Sequence, residues 1–435
     1  MIKRTIKFIL ISILTLEARV VVWKYRPKII GVTGNAGKTG TKEAIAAVLG
    51  SDFSVWKNEK SYNSDIGIPL TILHCQNAWS NIYLWVKNIL EGLILILLRH
   101  NYPEWLVLEV GADRPGDIKK FISWIRPEMV VVTRIGETPV HVENFSSRDE
   151  LIKEKMELVK ALRPGGYLIL NADDPDVLRM KDMVLGAQVV TFGFSPKANL
   201  RASNYHIAYN EVEHVKMPCG IGFRIDYVGN VIPIRVSGII GRHNVYSALA
   251  ACAVGISLRV NFIIMAEAVA KYERPVGRLK LLEGINNSII LDDTYNSSPA
   301  AVSLALESLA DIDTSGKKFI VLGDMLELGK HTMNEHLSVG KKVSQYGDVL
   351  ITVGQRAKHI AQGARESGMD QKNILCFSDP YEAGLYLKEK LSPGDIVLIK
   401  GSQGMRMERV VEEILARRDQ KKLLLARQDE EWLKR

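Results

Sequence analysis

A chain of 435 residues with 47% hydrophobic and 24% charged residues has length for two or three domains with ample core, which excludes a disordered or low-complexity protein. The net charge of +8 suits anionic partners such as nucleotides or an acidic membrane surface, and equally suits ordinary solvated Lys and Arg; with no basic motif interleaved with aromatics, no nucleic-acid partner is expected. Cys75, Cys219, Cys252 and Cys376 are isolated, with no C-x-x-C, so neither a zinc ribbon nor a disulfide framework is indicated and a reducing cytoplasm fits.

Residues 1–27 read as an apolar, basic extension. The apolar run 8–16 follows Lys3, Arg4 and Lys7 like the opening of a signal peptide, but Glu17, Arg19 and Lys24 come next and there is no small-residue cleavage site. Then comes a buried strand, a glycine-rich turn, and a helix predicted over residues 40–49. This pattern aims backbone N–H groups and a helix N-terminus at phosphate, so Thr33, Gly34, Asn35, Ala36, Gly37, Lys38 and Thr39 are candidate nucleotide contacts. Lys38 can reach the terminal phosphates, and the Thr39 hydroxyl can ligate Mg²⁺. The loop is a shorter Gly-x-x-Gly-Lys-Thr form, with Val32 five residues before Gly37. An apolar insertion follows at about 76–103. Its run 79–98 is broken by Lys87 and Glu91, leaving too short an uncharged stretch to span a bilayer comfortably. An interfacial helix, and packing of the two apolar segments against each other or across a dimer, both fit.

Residues 105–111 predict a buried strand with Glu109 at its C-terminal end, where open α/β sheets bind ligands. A carboxylate there can complete Mg²⁺ coordination begun by Thr39, although a strand-end Glu more often serves a salt bridge. The strand 129–134 leads to His141 on a neighbouring loop. Helical spacing over 147–162 carries Lys153 and Lys155, whose plain reading is a solvated face. Strands at 167–171 and 188–192 continue a parallel sheet covered by helices. Between 202 and 236 the pattern predicts short alternating strands, a small antiparallel insert, followed by an Ala-rich helix over 244–254. A boundary near 278–287 precedes a second α/β unit with strands at 288–293, 319–322, 349–353 and 396–399; from Arg417 the tail is charged and helix-prone.

Seven stretches spread along residues 28–415 together resemble the Mur ligases. They are the phosphate loop, Glu109-Val-Gly-Ala112 with 116–118, 141–147, Lys153-Glu-Lys-Met-Glu157, Asn171-Ala-Asp-Asp174, Gly241-Arg-His-Asn244 and Gly277-Arg278. Three more are similar to the MurF type: Asp292-Asp-Thr-Tyr-Asn-Ser-Ser-Pro299, Leu322-Gly-Asp-Met-Leu-Glu-Leu-Gly329 with His336 and Gly340, and Lys400-Gly-Ser-Gln-Gly-Met405. The resemblance implies an α/β protein with a P-loop central parallel-sheet domain (28–278) carrying the small antiparallel insert. A Rossmann-like C-terminal α/β domain (279–416) and the tail 417–435 would follow.

It also implies chemistry. A substrate carboxylate attacks the γ-phosphate of ATP, and an amine then displaces phosphate from the acyl phosphate to form an amide. Clustered cations are needed because two anions must meet. In this family Lys38 would cradle phosphates, and Thr39 and Glu109 would hold one Mg²⁺. His141 would serve a second metal, Arg278 the γ-phosphate, Asn244 the adenine side, and Asp293 or Asp292 the ribose. Lys155 matches a lysine that members can carry as a carbamate, which turns a cation into a metal-binding anion. Asn63, Asn296, Lys400 and Ser402 would serve the substrates, with the C-terminal domain closing over the amine. ATP and Mg²⁺ are the implied cofactors. A muramoyl-peptide-type acid and an amino acid or dipeptide, D-alanyl-D-alanine in the MurF type, are the implied substrates. Cytoplasmic peptidoglycan precursor synthesis is the implied setting; peripheral membrane contact is an expectation that comes from the two apolar segments alone. Gly40, Ser64, Ser247 and Ser298 depart from the family pattern. So does the start of the chain: MurF-type enzymes hold the UDP-sugar on a domain before the phosphate loop, and only residues 1–27 precede β-structure here. The alternatives are a Mur-superfamily amide ligase for another acid and amine, of polyglutamate type or with a lipid-linked acceptor, and a non-catalytic membrane-associated nucleotide-binding protein.

Overall fold

Uninterrupted apolar runs become fully buried parallel strands, because a sheet covered on both faces leaves no strand position facing water. In the computed structural model this explains β1 (Lys28–Thr33), whose last five residues are all buried. The structure describes all residues except 1, 59–64, 80, 137–144, 146, 213–214, 273, 430–431 and 433–435. Two compact units divide the chain: residues 1–203, 225–232 and 246–272, and residues 204–224, 233–245 and 273–435.

The first unit opens with helix α1 (Ile2–Tyr25), then β1, α2 (Lys38–Leu49), β2 (Val55–Lys57), α3 (Gly67–Ile72), α4 (Ile82–Leu97) and β3 (Trp105–Glu109). It continues with α5 (Asp117–Ile122), β4 (Met129–Val132), α6 (Arg148–Lys160), β5 (Tyr167–Asn171), α7 (Pro175–Arg179) and β6 (Gln188–Gly193). Its parallel strands run in the order β2-β3-β1-β4-β5-β6. β1 lies between β3 and β4, so the chain turns from one half of the sheet to the other at the carboxyl end of β1, the position where open α/β sheets take ligands. Helix α2 opens with Lys38 and Thr39, directly behind Gly37 in the left-handed region. Gly31 lets α6 sit close on β1: a Cβ there would lie 3.2 Å from Leu158 Cδ2.

The sheet continues through β7 (Leu200–Val212), β8 (Val215–Tyr227) and β9 (Asn230–Ser237). These replace the expected short strands with two of 13 residues. Gly220 and Gly222 are strand positions of close approach: a Cβ on Gly220 would meet Val236 O at 2.2 Å. The true turn is Val228-Gly229, with φ of 45° and 77°, the backbone of a two-residue hairpin. Helices α8 (His243–Ser257) and α9 (Phe262–Lys271) follow.

The second unit runs through β10 (Lys280–Glu283), β11 (Ile289–Asp293), α10 (Pro299–Ala310), β12 (Lys318–Gly323), α11 (Thr332–Val343) and β13 (Val349–Val353). Then come α12 (Lys358–Glu366), β14 (Ile374–Phe377), α13 (Pro380–Lys390), β15 (Ile396–Lys400) and α14 (Glu408–Ile414). The strand order is β10-β11-β15-β12-β13-β14, with β10 an antiparallel edge. Ser298-Pro299 and Asp379-Pro380 start α10 and α13 as an N-cap followed by Pro at the first turn.

The two apolar segments are α1 and α4, and they pack against each other. Lys24 Nζ donates to the carbonyls of Leu95 (3.0 Å) and Ile96 (2.9 Å), placing a cation on the C-terminal carbonyls of α4. Tyr25 Oη donates to Leu95 O at 2.8 Å. Leu14, Ala18 and Val21 carry α1 into the core beside Leu70, Leu106 and Ile118.

Candidate functional site

Gly34 carries φ of 139°, and a Cβ there would sit 2.1 Å from Thr133 Oγ1; only glycine fits. The Thr133 hydroxyl donates to Thr33 O (3.1 Å) and Ala36 O (2.8 Å). The Asn35 and Ala36 amides donate to Arg134 O, and Asn35 Nδ2 to Ile135 O at 2.8 Å. The loop is therefore clamped onto the residues after β4. Asp174 in turn holds that segment, accepting from the Ile135 (2.9 Å) and Gly136 (3.0 Å) amides while capping α7. Gly37 has φ of 81° and open space where a Cβ would be, a cradle at the start of α2. Lys38 Nζ folds over the loop, donating to Gly34 O at 2.9 Å.

Thr39 Oγ1 donates to Glu109 Oε2 at 2.9 Å, and both residues are buried. They are neighbours because Val32 and Glu109 are register partners in β1 and β3. Asn58, fully buried, accepts the Glu109 amide at 2.7 Å and holds the strand end in place. Lys155 projects from α6 into the same cluster and is 2% exposed. Burial first, and then the Lys38 charge, bring its pKa down to about 7, against the pull of Glu154, Asp113 and Glu109. Beside it Glu154 accepts from the Gly116 (2.8 Å) and Ile118 (2.7 Å) amides. Lys155 is thus no solvated-face lysine. Lys38, Thr39, Glu109 and Lys155 converge on the carboxyl edge of the sheet. The Thr39 hydroxyl and Glu109 carboxylate are hard oxygen donors 2.9 Å apart, a set that suits Mg²⁺. His141 and Asn63, with Ser64, lie outside the described residues. Ser247 accepts from Thr41 Oγ1 at 3.3 Å.

The second unit gathers the remaining residues. Lys400 and Asp293 are register partners in β15 and β11, and Lys400 Nζ donates to Asp293 at 2.7 Å and to Asn296 O at 2.8 Å. Ser402 Oγ accepts the Leu326 amide at 2.8 Å. Asp292 faces inward: Oδ1 accepts from Thr294, and burial lifts its carboxyl to about 6. Asp293 is accordingly the one of the two on the accessible side. The Arg278 guanidinium stacks 4.1 Å over the Tyr295 ring. Asn244 is buried, with Nδ2 donating to Ile240 O at 2.6 Å. Sequence reasoning passes over Asn58, a loop residue with no local signal, and Arg427. The latter lies in the charged tail yet is buried, donating to Thr294 O and to Glu408.

Family models match two segments: the Mur ligase middle domain at residues 88–255, and the Mur ligase, glutamate ligase domain at residues 277–403. The UDP-N-acetylmuramoyl-tripeptide–D-alanyl-D-alanine ligase of Bacillus subtilis (strain 168) is 29% identical over 389 residues, covering 89% of this chain and 76% of that protein. The enzyme of the same name from Escherichia coli (strain K12) is 29% identical over 391 residues, covering 88% and 76%. Among solved structures, the MurF ligase of Thermotoga maritima in complex with ADP superposes with a TM-score of 0.74 at 25% identity, covering 93% of this chain and 83% of that one.

Proposed function

This chain belongs to the Mur ligase family, and we propose that it is an ATP-dependent MurF-type ligase joining D-alanyl-D-alanine to a UDP-N-acetylmuramoyl-tripeptide in peptidoglycan precursor synthesis. The observation that carries the reading is the convergence of Lys38, Thr39, Glu109 and Lys155 at the end of β1, within a chain that matches the D-alanyl-D-alanine ligases along most of its length.

The acid's carboxylate oxygen attacks the γ-phosphorus of ATP, and ADP leaves. The amine nitrogen then attacks the acyl carbon; phosphate leaves, and the amine releases a proton. The glycine loop supplies backbone amides at the N-terminus of α2, where a phosphate group is favoured. Lys38 supplies the cation that lets two anions approach. Mg²⁺, when bound, would neutralise phosphate charge, with Thr39 and Glu109 as the residues that would hold it. Lys155 at about pH 7 has a substantial neutral fraction, the form that attacks carbon dioxide; the carbamate that forms is an anion suited to the same cluster. In the second unit, the Arg278 guanidinium suits phosphate, while Asp293, Asn296 O and Ser402 offer acceptors for an ammonium or hydroxyl. A cytoplasmic setting is part of the proposal, and the use of ATP as co-substrate is what supports it.

The test is ADP release from ATP and Mg²⁺ with UDP-N-acetylmuramoyl-tripeptide, adding and omitting D-alanyl-D-alanine, with products identified by mass. Release that depends on both substrates, with the amide formed, is expected. Lys38→Ala and Glu109→Ala should lower turnover by at least about a hundredfold. Full activity in either variant would refute the site, and turnover only with a different acid or amine would refute the substrate pair.

A further inference from the structure

Helices α1 and α4 lie side by side over the core of the first unit, and each is apolar on both faces. Inward, Leu14, Ala18 and Val21 of α1 are buried, and Trp85, Ile89 and Ile96 of α4 pack on the same core. Outward, α1 presents Ile9, Ile13, Leu16 and Trp23, and α4 presents Tyr83, Val86, Leu90, Leu93 and Leu97, both sets at helical spacing. Phe8, Trp23, Leu97 and Tyr83 are 72, 74, 77 and 78% exposed. Two parallel apolar stripes open to water are not the ordinary scatter of single surface hydrophobics.

Charge says what covers them. Residues 1–27 and 76–103 hold eight Lys and Arg against Glu17 and Glu91, so these two segments supply +6 of the chain's net +8. Glu17 is buried with its carboxyl raised to about 7, and Glu91, the other acid of the pair, is half-buried and paired with Lys87 at 3.5 Å. In the sequence Lys3, Arg4 and Lys7 come before the first outward residues of α1, and the outer stripe of α4 is bordered by Lys87 and followed by Arg99. Two copies facing each other here would bring like charges together, whereas an anionic headgroup layer complements them. Trp23, Trp79 and Tyr83 add amphipathic rings of the kind that settle at headgroup level. Among the described residues no helix is long and apolar enough to cross a membrane, so the pair would lie along the surface.

We propose that the paired outer faces of α1 and α4 seat the first unit on an anionic phospholipid bilayer, lying within the interface. Catalysis is not required for this, so it stands or falls apart from the ligase reading. The test is flotation of the full chain with vesicles of phosphatidylcholine alone and of phosphatidylcholine mixed with phosphatidylglycerol, at low and high salt. Wild type should float with the mixed vesicles, less well at high salt and least with phosphatidylcholine alone. Leu90→Glu and Trp23→Glu, both at exposed positions, should keep the wild-type circular dichroism and weaken partition at least about tenfold. Three results would overturn the proposal. Wild type could fail to float with anionic vesicles. The variants could float as wild type does. Light scattering could show a dimer that Leu90→Glu converts to monomer, which would assign the face to a second copy.

Discussion

Glu17 is an acid placed where an apolar residue would serve, and its replacement should stabilise the protein in a pH-dependent way. It faces α4 from α1: a Cβ on Gly92 would lie 2.4 Å from Glu17 Oε2. That oxygen is buried with no hydrogen-bond partner among the described residues, and burial alone raises the carboxyl from 4.5 to about 7. A carboxyl with a raised pKa holds its proton more tightly in the folded chain, so stability is lost as pH climbs from about 4.5 to about 7 and is level above that. The gap corresponds to about 3 kcal/mol at full ionisation, and to about 2.5 kcal/mol between pH 5 and pH 8. Glu17→Met keeps an unbranched side chain of similar length and removes the charge. Opening free energies of the α1 and α4 amides, from hydrogen exchange at pH 5 and pH 8, read the effect locally. Wild type should lose about 2.5 kcal/mol across that interval and Glu17→Met should lose none. Equal slopes in the two proteins would refute the argument, since the carboxylate would then be solvated or paired in the folded state.

Two further outcomes bear on the phosphate loop and its neighbours. Gly34→Ala forces a side chain into φ of 139° and against Thr133 Oγ1, so ADP affinity by calorimetry should fall at least about tenfold; unchanged affinity would show that the clamp between loop and Thr133 is dispensable. For Lys155, turnover in bicarbonate-depleted buffer should drop and recover on adding bicarbonate. Carbamate formation should rise as pH climbs through about 7, where the neutral amine appears. A carbon-13 carbamate signal that persists in Lys155→Arg would refute the assignment.

The legible part of this molecule is what local composition dictates. β3, β5 and β13 fall where uninterrupted apolar runs predict them, and the turn between Gly34 and Gly37 announces itself by residues no other backbone conformation demands. β10 and β14 escaped because each has four residues with mixed burial, too short for periodicity to separate from loop. The lengths of β7 and β8 are not legible in the sequence, because a glycine tolerating a neighbouring strand reads like one making a turn. Asn58 and Arg427 carry no local signal: their roles come from partners 51 and 133 positions away, which only the fold brings near. The apolar runs at 8–16 and 79–98 were visible; that their helices share a core while both leave an apolar stripe outside was not.

The order β10-β11-β15-β12-β13-β14 has a consequence for biosynthesis. The strand that separates β11 from β12 is the last of the six to be made. Until residue 400 has left the ribosome, β11 and β12 have no strand between them, and the nascent chain carries two unpaired parallel edges. Lys400 closes the strand ladder and meets Asp293 in the same step, and Arg427 fixes the loop beyond β11 only 27 residues later. Completion of this sheet is therefore a post-emergence event, and stalling within the stretch 324–395 would leave a species prone to pairing with its neighbours on a polysome.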